Sequence, residues 1–138
     1  MKTLMPVSEI MTKHLIGLDR SDDLTRAEML FKKYHIRHIP VVHEEFIVGM
    51  LSYSDLLKIS FADATIDERD VDTIVYKMFD VDQVMTKNLV TVTSNTTIKD
   101  AAKILAEKEF HALPVVDDGT LVGIVTTTDL INYLLNQF

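Results

Sequence analysis

Residues separated by 74 positions repeat one another along this chain, and no other feature constrains its fold as strongly. Met11-Thr12-Lys13 returns as Met85-Thr86-Lys87, Pro40-Val41-Val42 as Pro114-Val115-Val116, Val48-Gly49 as Val122-Gly123, and Asp55-Leu56 as Asp129-Leu130. Positions 11–57 align with 85–131 without a gap. Twelve of these 47 pairs are identical, and many others exchange one apolar type for another, as Leu24 does for Ile98 and Ile39 for Leu113. A register kept over that length requires two copies of one supersecondary unit. Each copy is near the ~60-residue size at which a core is only marginal, so the two are expected to bury apolar faces together about a pseudo-twofold axis with clefts along it.

Both copies read alike. A short turn around Val7, Ile10 and Met11, repeated at Val81, Val84 and Met85, leads to a brief predicted strand over 15–18 or 89–92. Asp23 then precedes Leu24, Ala27, Leu30, Phe31 and Tyr34, and Thr97 precedes Ile98, Ala101, Ala102, Ile104 and Leu105. That is cap chemistry followed by the three-to-four spacing of an amphipathic helix. The runs 39–42 with 46–51, and 113–116 with 120–125, are rich in β-branched residues and read as hairpins. Asp118-Gly119 favours a tight two-residue turn, whereas His43-Glu44-Glu45 lacks that signal and predicts a different loop. Because 46–51 is almost wholly apolar, helices should cover it. Gly49 and Gly123 interrupt their strands, which marks a bulge or a close approach by a packed helix or a bound ring. A last helix starts near Ser54-Asp55 and Thr128-Asp129.

The expected fold is therefore α+β, two pseudo-twofold repeats each running strand, helix, strand, strand, helix, with a small sheet packed by helices. The expected divisions are 1–64 and 79–138, joined by a helix over 65–78 into one module. Positions 60–82 carry seven acids (Asp63, Asp67, Glu68, Asp70, Asp72, Asp80, Asp82) and two bases (Arg69, Lys77). Thr65 with Glu68 has capping-box spacing, and Val71, Ile74, Val75, Met78 and Phe79 make a helical stripe expected to pack on the protein's own core.

Composition narrows the function. A chain of 138 residues with 47% hydrophobic and 25% charged residues is an ordinary globular sequence too short for a large multi-domain enzyme. Without cysteine it has no disulfides and no thiolate site. Pro6, Ser8 and Glu9 break any signal-like apolar run, and no stretch approaches the ~18 residues of a membrane span, so a cytoplasmic protein is expected. Fourteen bases against 21 acids, net −7, oppose attraction to nucleic acid or an anionic membrane.

The repeated Met-Thr, the apolar-Pro-Val-Val strand and the run Gly-apolar-apolar-Ser/Thr-x-x-Asp, all in order in both copies, resemble the CBS domain, named after cystathionine β-synthase. The resemblance covers about 7–135. It implies a tandem pair, commonly dimeric, that binds AMP, ADP, ATP or S-adenosylmethionine in clefts between the copies and regulates an unidentified protein without catalysing a reaction. No cofactor is required on that reading.

Asp55 and Asp129, at the start of the last helices, can accept hydrogen bonds from vicinal ribose hydroxyls at about 1.5–3 kcal/mol each. Ser52 and Thr126 supply a hydroxyl, and the helix amides favour phosphate. Helix capping explains the same residues equally well. By resemblance, adenine would lie against Leu18, Ile39 and Pro40 in one copy and Val92, Leu113 and Pro114 in the other; without the resemblance, all six are core. Arg37 and His38, and His111, flank those strands as candidate phosphate contacts, with Lys13, His14 and Lys87 weaker ones. Thr91 offers a hydroxyl where the first copy has Gly17, so the Asp129 site is expected to be the better formed.

Against an enzyme, the chain has no HExxH, Walker loop, Gly-x-Ser-x-Gly or CxxC. His35, His38, His43, Glu44 and Glu45 lie close in sequence, but His35 and His38 straddle a helix end, and no metal site is expected. The competing function is a structural module that dimerises without ligand, with Asp55 and Asp129 acting only as caps.

Overall fold

The computed structural model describes residues 4–62, 76, 78–108 and 110–138. It forms two compact units. One, here called the amino-terminal unit, is Ile16–Asn88, and the other, the carboxy-terminal unit, joins Met1–Leu15 to Leu89–Phe138.

In the amino-terminal unit, helix α1 (Leu24–Tyr34) begins where Asp23 accepts a hydrogen bond from the Arg26 amide at 2.9 Å. It ends at His35, which takes the left-handed conformation at φ 54° and returns its N–H to Phe31. Strands β1 (His38–His43) and β2 (Phe46–Ser52) pair antiparallel, and α2 (Tyr53–Ala62) follows. The carboxy-terminal unit repeats the plan with α3 (Ile98–Glu107), β3 (Ala112–Asp117), β4 (Thr120–Thr126) and α4 (Thr127–Leu135). Thr97 caps α3 by accepting from the Asp100 amide at 3.1 Å.

The hairpins share a defect in register. Val41 pairs with Gly49 but Val42 with Ile47, and Val115 with Gly123 but Val116 with Leu121, so Val48 and Val122 are each bulged beside the glycine. Both loops have two residues. They differ in backbone: Asp118 and Gly119 both have positive φ, 51° and 83°, whereas in the first loop only Glu44 does, at 57°. The predicted opening strands shrink to one residue each, Leu18 bridging Val41 and Val92 bridging Val115 in parallel. The next amides are captured by side chains instead, Asp19 N–H by Asp22 at 2.8 Å and Thr93 N–H by Thr96 at 3.0 Å, which turns the chain out of the ladder.

The repeats follow the sequence, but the compact bodies do not. The 3-10 turn Val7–Glu9 lies in the carboxy-terminal unit, where Val7 and Ser8 amides donate to the carbonyls of Thr96 and Ser94 at 2.8 and 3.3 Å. Its counterpart, the helical turn Val81–Val84, lies in the amino-terminal unit, where Val81 and Asp82 donate to Asp22 and Arg20 at 2.9 and 3.2 Å. Two residue pairs extend the same exchange. Thr12 and Ile124 trade both backbone hydrogen bonds at 2.8 and 3.0 Å, as do Thr86 and Met50 at 2.9 and 3.0 Å. Every one of these contacts obeys the 74-residue offset, so each unit is a hairpin and two helices of one repeat closed by the leading turn of the other.

This explains the strand glycines. A Cβ on Gly123 would stand 2.6 Å from Met11 Sδ and 3.1 Å from the Thr12 carbonyl, and one on Gly49 would overlap the Met85 thioether. The close approach is made by a methionine of the exchanged turn, rather than by a packed helix.

Each unit has its own core. Leu18, Leu24, Ala27, Ile39, Val41, Leu51, Leu56 and Val81 are completely or almost completely buried in one, and Val7, Ala101, Leu113, Val115 and Val125 in the other. Burying an aliphatic side chain contributes about 1.5–3 kcal/mol, so Val7 and Val81 hold the exchanged turns firmly. Of the connecting helix expected over 65–78, Thr65, Glu68, Val71, Ile74 and Val75 lie outside the described residues. Tyr76 and Met78 are helical; Tyr76 is buried in the amino-terminal core with Phe79 packed against it, and Met78 is exposed.

Candidate functional site

In the carboxy-terminal unit the turn from β4 into α4 gathers the predicted ribose-binding residues. Thr126 Oγ1 accepts from the Asp129 amide at 3.1 Å, and Asp129 Oδ2 accepts from the Thr126 amide at 2.9 Å, closing a capping box. Asp129 Oδ1 remains outside that box. Thr12 Oγ1 stands 3.5 Å from both carboxylate oxygens, at the outer limit of a hydrogen bond. The Thr127 amide and hydroxyl donate to the His111 carbonyl at 3.0 and 3.4 Å, which fixes the exposed His111 beside the start of α4.

The amino-terminal unit builds the same turn with fewer bonds. Ser52 Oγ accepts from the Asp55 amide at 3.1 Å, and Tyr53 N–H donates to the Arg37 carbonyl at 2.9 Å, placing the exposed Arg37 as His111 is placed. His38 is the cross-strand partner of Ser52. Among the described residues, the Ser52 amide does not bond back to Asp55, and Thr86 makes no hydrogen bond to that carboxylate. Where Thr127 adds a hydroxyl contact, Tyr53 packs edge-on against Phe31 with ring centroids 5.4 Å apart.

The six residues assigned to adenine are all buried: Leu18, Ile39, Pro40, Val92, Leu113 and Pro114. Leu18 donates to Pro40 and accepts from Val42 at 3.0 and 2.8 Å, and Val92 does the same with Pro114 and Val116 at 3.0 and 2.7 Å. Those four bonds occupy the main-chain groups within the units. Thr91 is exposed, as is Gly17 in the other copy. Lys87 is held 3.3 Å from Asp82, whereas Lys13, also exposed, has Ser8 in the corresponding position. His35 caps α1, while His38 and His43 lie at opposite ends of β1, about 17 Å apart along an extended strand. No three His, Asp or Glu side chains among the described residues gather as a metal site.

Two carboxylates, Asp117 at the end of β3 and Asp19 after Leu18, are acidified. Hydrogen bonding by Ser94, from its side chain and from its amide at 3.0 Å, lowers the pKa of Asp117. Hydrogen bonds from the Ser21 amide and hydroxyl, at 3.0 and 2.8 Å, do the same for Asp19. Thr12 belongs to the repeated Met-Thr, but no local spacing links it to Asp129; only the exchange of turns brings the two together.

Comparison with known proteins fits this geometry. The CBS domain matches at residues 7–62 and again at 81–136, so the chain belongs to the CBS-domain family. CBS domain-containing protein YhcV of Bacillus subtilis is 30% identical over 95% of this chain and 87% of its own length. Protein MJ1225 of Methanocaldococcus jannaschii is 29% identical over 94% of this chain, which spans only 42% of that longer protein. CBSX2 of Arabidopsis thaliana, solved in complex with AMP, superposes with a TM-score of 0.79 at 28% identity, covering 96% of this chain and 98% of CBSX2. No helix among the described residues is long and apolar enough to cross a membrane.

Proposed function

We propose that this protein is a cytoplasmic regulatory module that binds an adenosine-containing ligand, such as AMP, ADP, ATP or S-adenosylmethionine, and signals to a separate protein through homodimer or partner contacts. Asp129 and Thr126 hold the ribose in the better-formed site, and Asp55 and Ser52 in the other. Support comes from the match of the CBS family to both repeats, together with the AMP complex of CBSX2. The observation that carries the reading is the Asp129 oxygen outside the capping box: the box uses Oδ2, and Oδ1, touched only by the long 3.5 Å contact from Thr12, is left for a ligand hydroxyl. His111 and Arg37 stand beside the two helix starts as phosphate contacts. Apolar contact with adenine falls to the strands of Val92, Leu113 and Pro114, or of Leu18, Ile39 and Pro40. The ligand regulates by binding one conformation better than another. The module regulates and catalyses no reaction.

Thermal unfolding with each nucleotide tests it. A ligand at 100 times its Kd stabilises the folded protein by about 2.7 kcal/mol, a clear rise in Tm. Asp129→Ala should abolish most of that rise. If AMP, ADP, ATP and S-adenosylmethionine at millimolar concentration all leave Tm unmoved, the ligand-free dimerisation module is the correct reading.

A further inference from the structure

We propose that Thr12, delivered by the exchanged leading turn, is a specificity-determining residue of the Asp129 site and reads the second hydroxyl of a vicinal diol. The inference rests on the function proposed above. Asp129 Oδ2 is committed to the Thr126 amide at 2.9 Å, so the carboxylate has one oxygen for a ligand. Among the described residues, the only other side chain bonded to that carboxylate is Thr12, with Oγ1 3.5 Å from each oxygen. That separation exceeds the usual O–H···O distance of about 2.8 Å, so a ligand hydroxyl displaces no strong bond. A threonine hydroxyl donates once and accepts twice. Thr12 can therefore donate to Asp129 and accept from one sugar hydroxyl while Asp129 Oδ1 accepts from its neighbour. Only a ligand with two adjacent hydroxyls engages both residues.

Thr12 is rigidly presented. Its backbone exchanges two hydrogen bonds with Ile124, two residues before Thr126, and Met11 lies over Gly123. Docking alone does not produce the contact: Thr86 makes the same backbone pair with Met50, yet its hydroxyl does not reach Asp55 by a hydrogen bond among the described residues. The reader of the diol is thus a residue of the first repeat serving a site built on the second.

Calorimetric titration with AMP and 2′-deoxy-AMP, in an Asp55→Asn background so that the Asp129 site alone is read, provides the test. With Thr12 intact, AMP should bind roughly tenfold or more tighter than the deoxy compound. Thr12→Val should weaken AMP by about tenfold and the deoxy compound far less, while Thr12→Ser restores the difference. Hydrogen exchange at the Ile124 amide should stay slow in every variant, showing that the turn remains docked, and Thr86→Val should change neither affinity. An unchanged ratio of AMP to deoxy-AMP in Thr12→Val overturns the inference while leaving the nucleotide site standing. So does an equal loss in the Ser and Val variants accompanied by fast Ile124 exchange, which would make Thr12 merely structural. If the Thr12 protein binds neither compound, the nucleotide reading itself fails and this inference with it.

Discussion

Asp129 and Asp55 occupy the same place in the two units, yet only Asp129 closes a reciprocal ring with the hydroxyl residue before its helix. The difference is local. Thr126 and Ser52 both accept the amide of the third helical residue at 3.1 Å, but only the Asp129 carboxylate turns back to the amide of its cap. The residues around them diverge in the same direction: Thr127 against Tyr53, and Thr12 with a hydroxyl near the carboxylate against Thr86 without that bond. A duplicated turn can thus keep its backbone while its two carboxylates are committed differently, one in a reciprocal cap that leaves one oxygen outside it and one without reciprocal closure.

The comparison can be broken or sharpened by paired substitutions. The largest effects belong to the cores: Ile39→Ala and Leu113→Ala, equivalent and fully buried, should each destabilise by about 2–5 kcal/mol in urea unfolding. Unequal losses would show that the two cores do not share the packing that their alignment implies. Next come the glycines. Gly49→Ala and Gly123→Ala should cost about 1–3 kcal/mol by overpacking against Met85 and Met11. Shortening the methionine in the double variants Gly49→Ala/Met85→Ala and Gly123→Ala/Met11→Ala should give non-additive recovery in a double-mutant cycle. Strictly additive losses would place the methionines elsewhere.

Smaller still is the cap. Asp129→Ala should cost about 0.5–1.5 kcal/mol more than Asp55→Ala, because only the first removes the acceptor of a cap amide. Equal costs in thermal unfolding would erase the asymmetry. Last is the acid response. The pKa of Asp117 is lowered in the folded protein, so its stabilisation is complete above the ordinary aspartate value and is lost as pH falls through the lowered one. Asp117→Asn should remove that acid-sensitive share of stability. Position 43, its counterpart, is histidine; Asp19 plays the part in that unit, and Asp19→Asn should flatten the same pH window.

Much of the architecture was legible because it is local. Asp23 and Thr97 announce helix starts through side chains that reach only three residues ahead, and the apolar spacing after them selects one buried face. Asp118-Gly119 specifies its turn through positive φ, and the glycine in each apolar strand marks the bulge beside it. The hydroxyl and carboxylate of each helix start, three residues apart, were visible for the same reason. The opening strands are shorter than their periodicity predicts, since the side chains of Asp22 and Thr96 compete for amides that periodicity assigns to a ladder.

Duplication itself, the order of elements in each copy and the residues that cap and turn them are properties of short segments, so the amino-acid sequence alone determined them. Which leading turn closes which body was decided only in three dimensions. A turn carrying Met-Thr-Lys meets the same Val-Gly strand and the same loop carbonyls in either copy, and sequence assigns equal complementarity to both pairings. Tertiary structure selected the exchanged one, and in doing so placed Met11 on Gly123 and the Thr12 hydroxyl at the Asp129 carboxylate, across more than a hundred residues of chain.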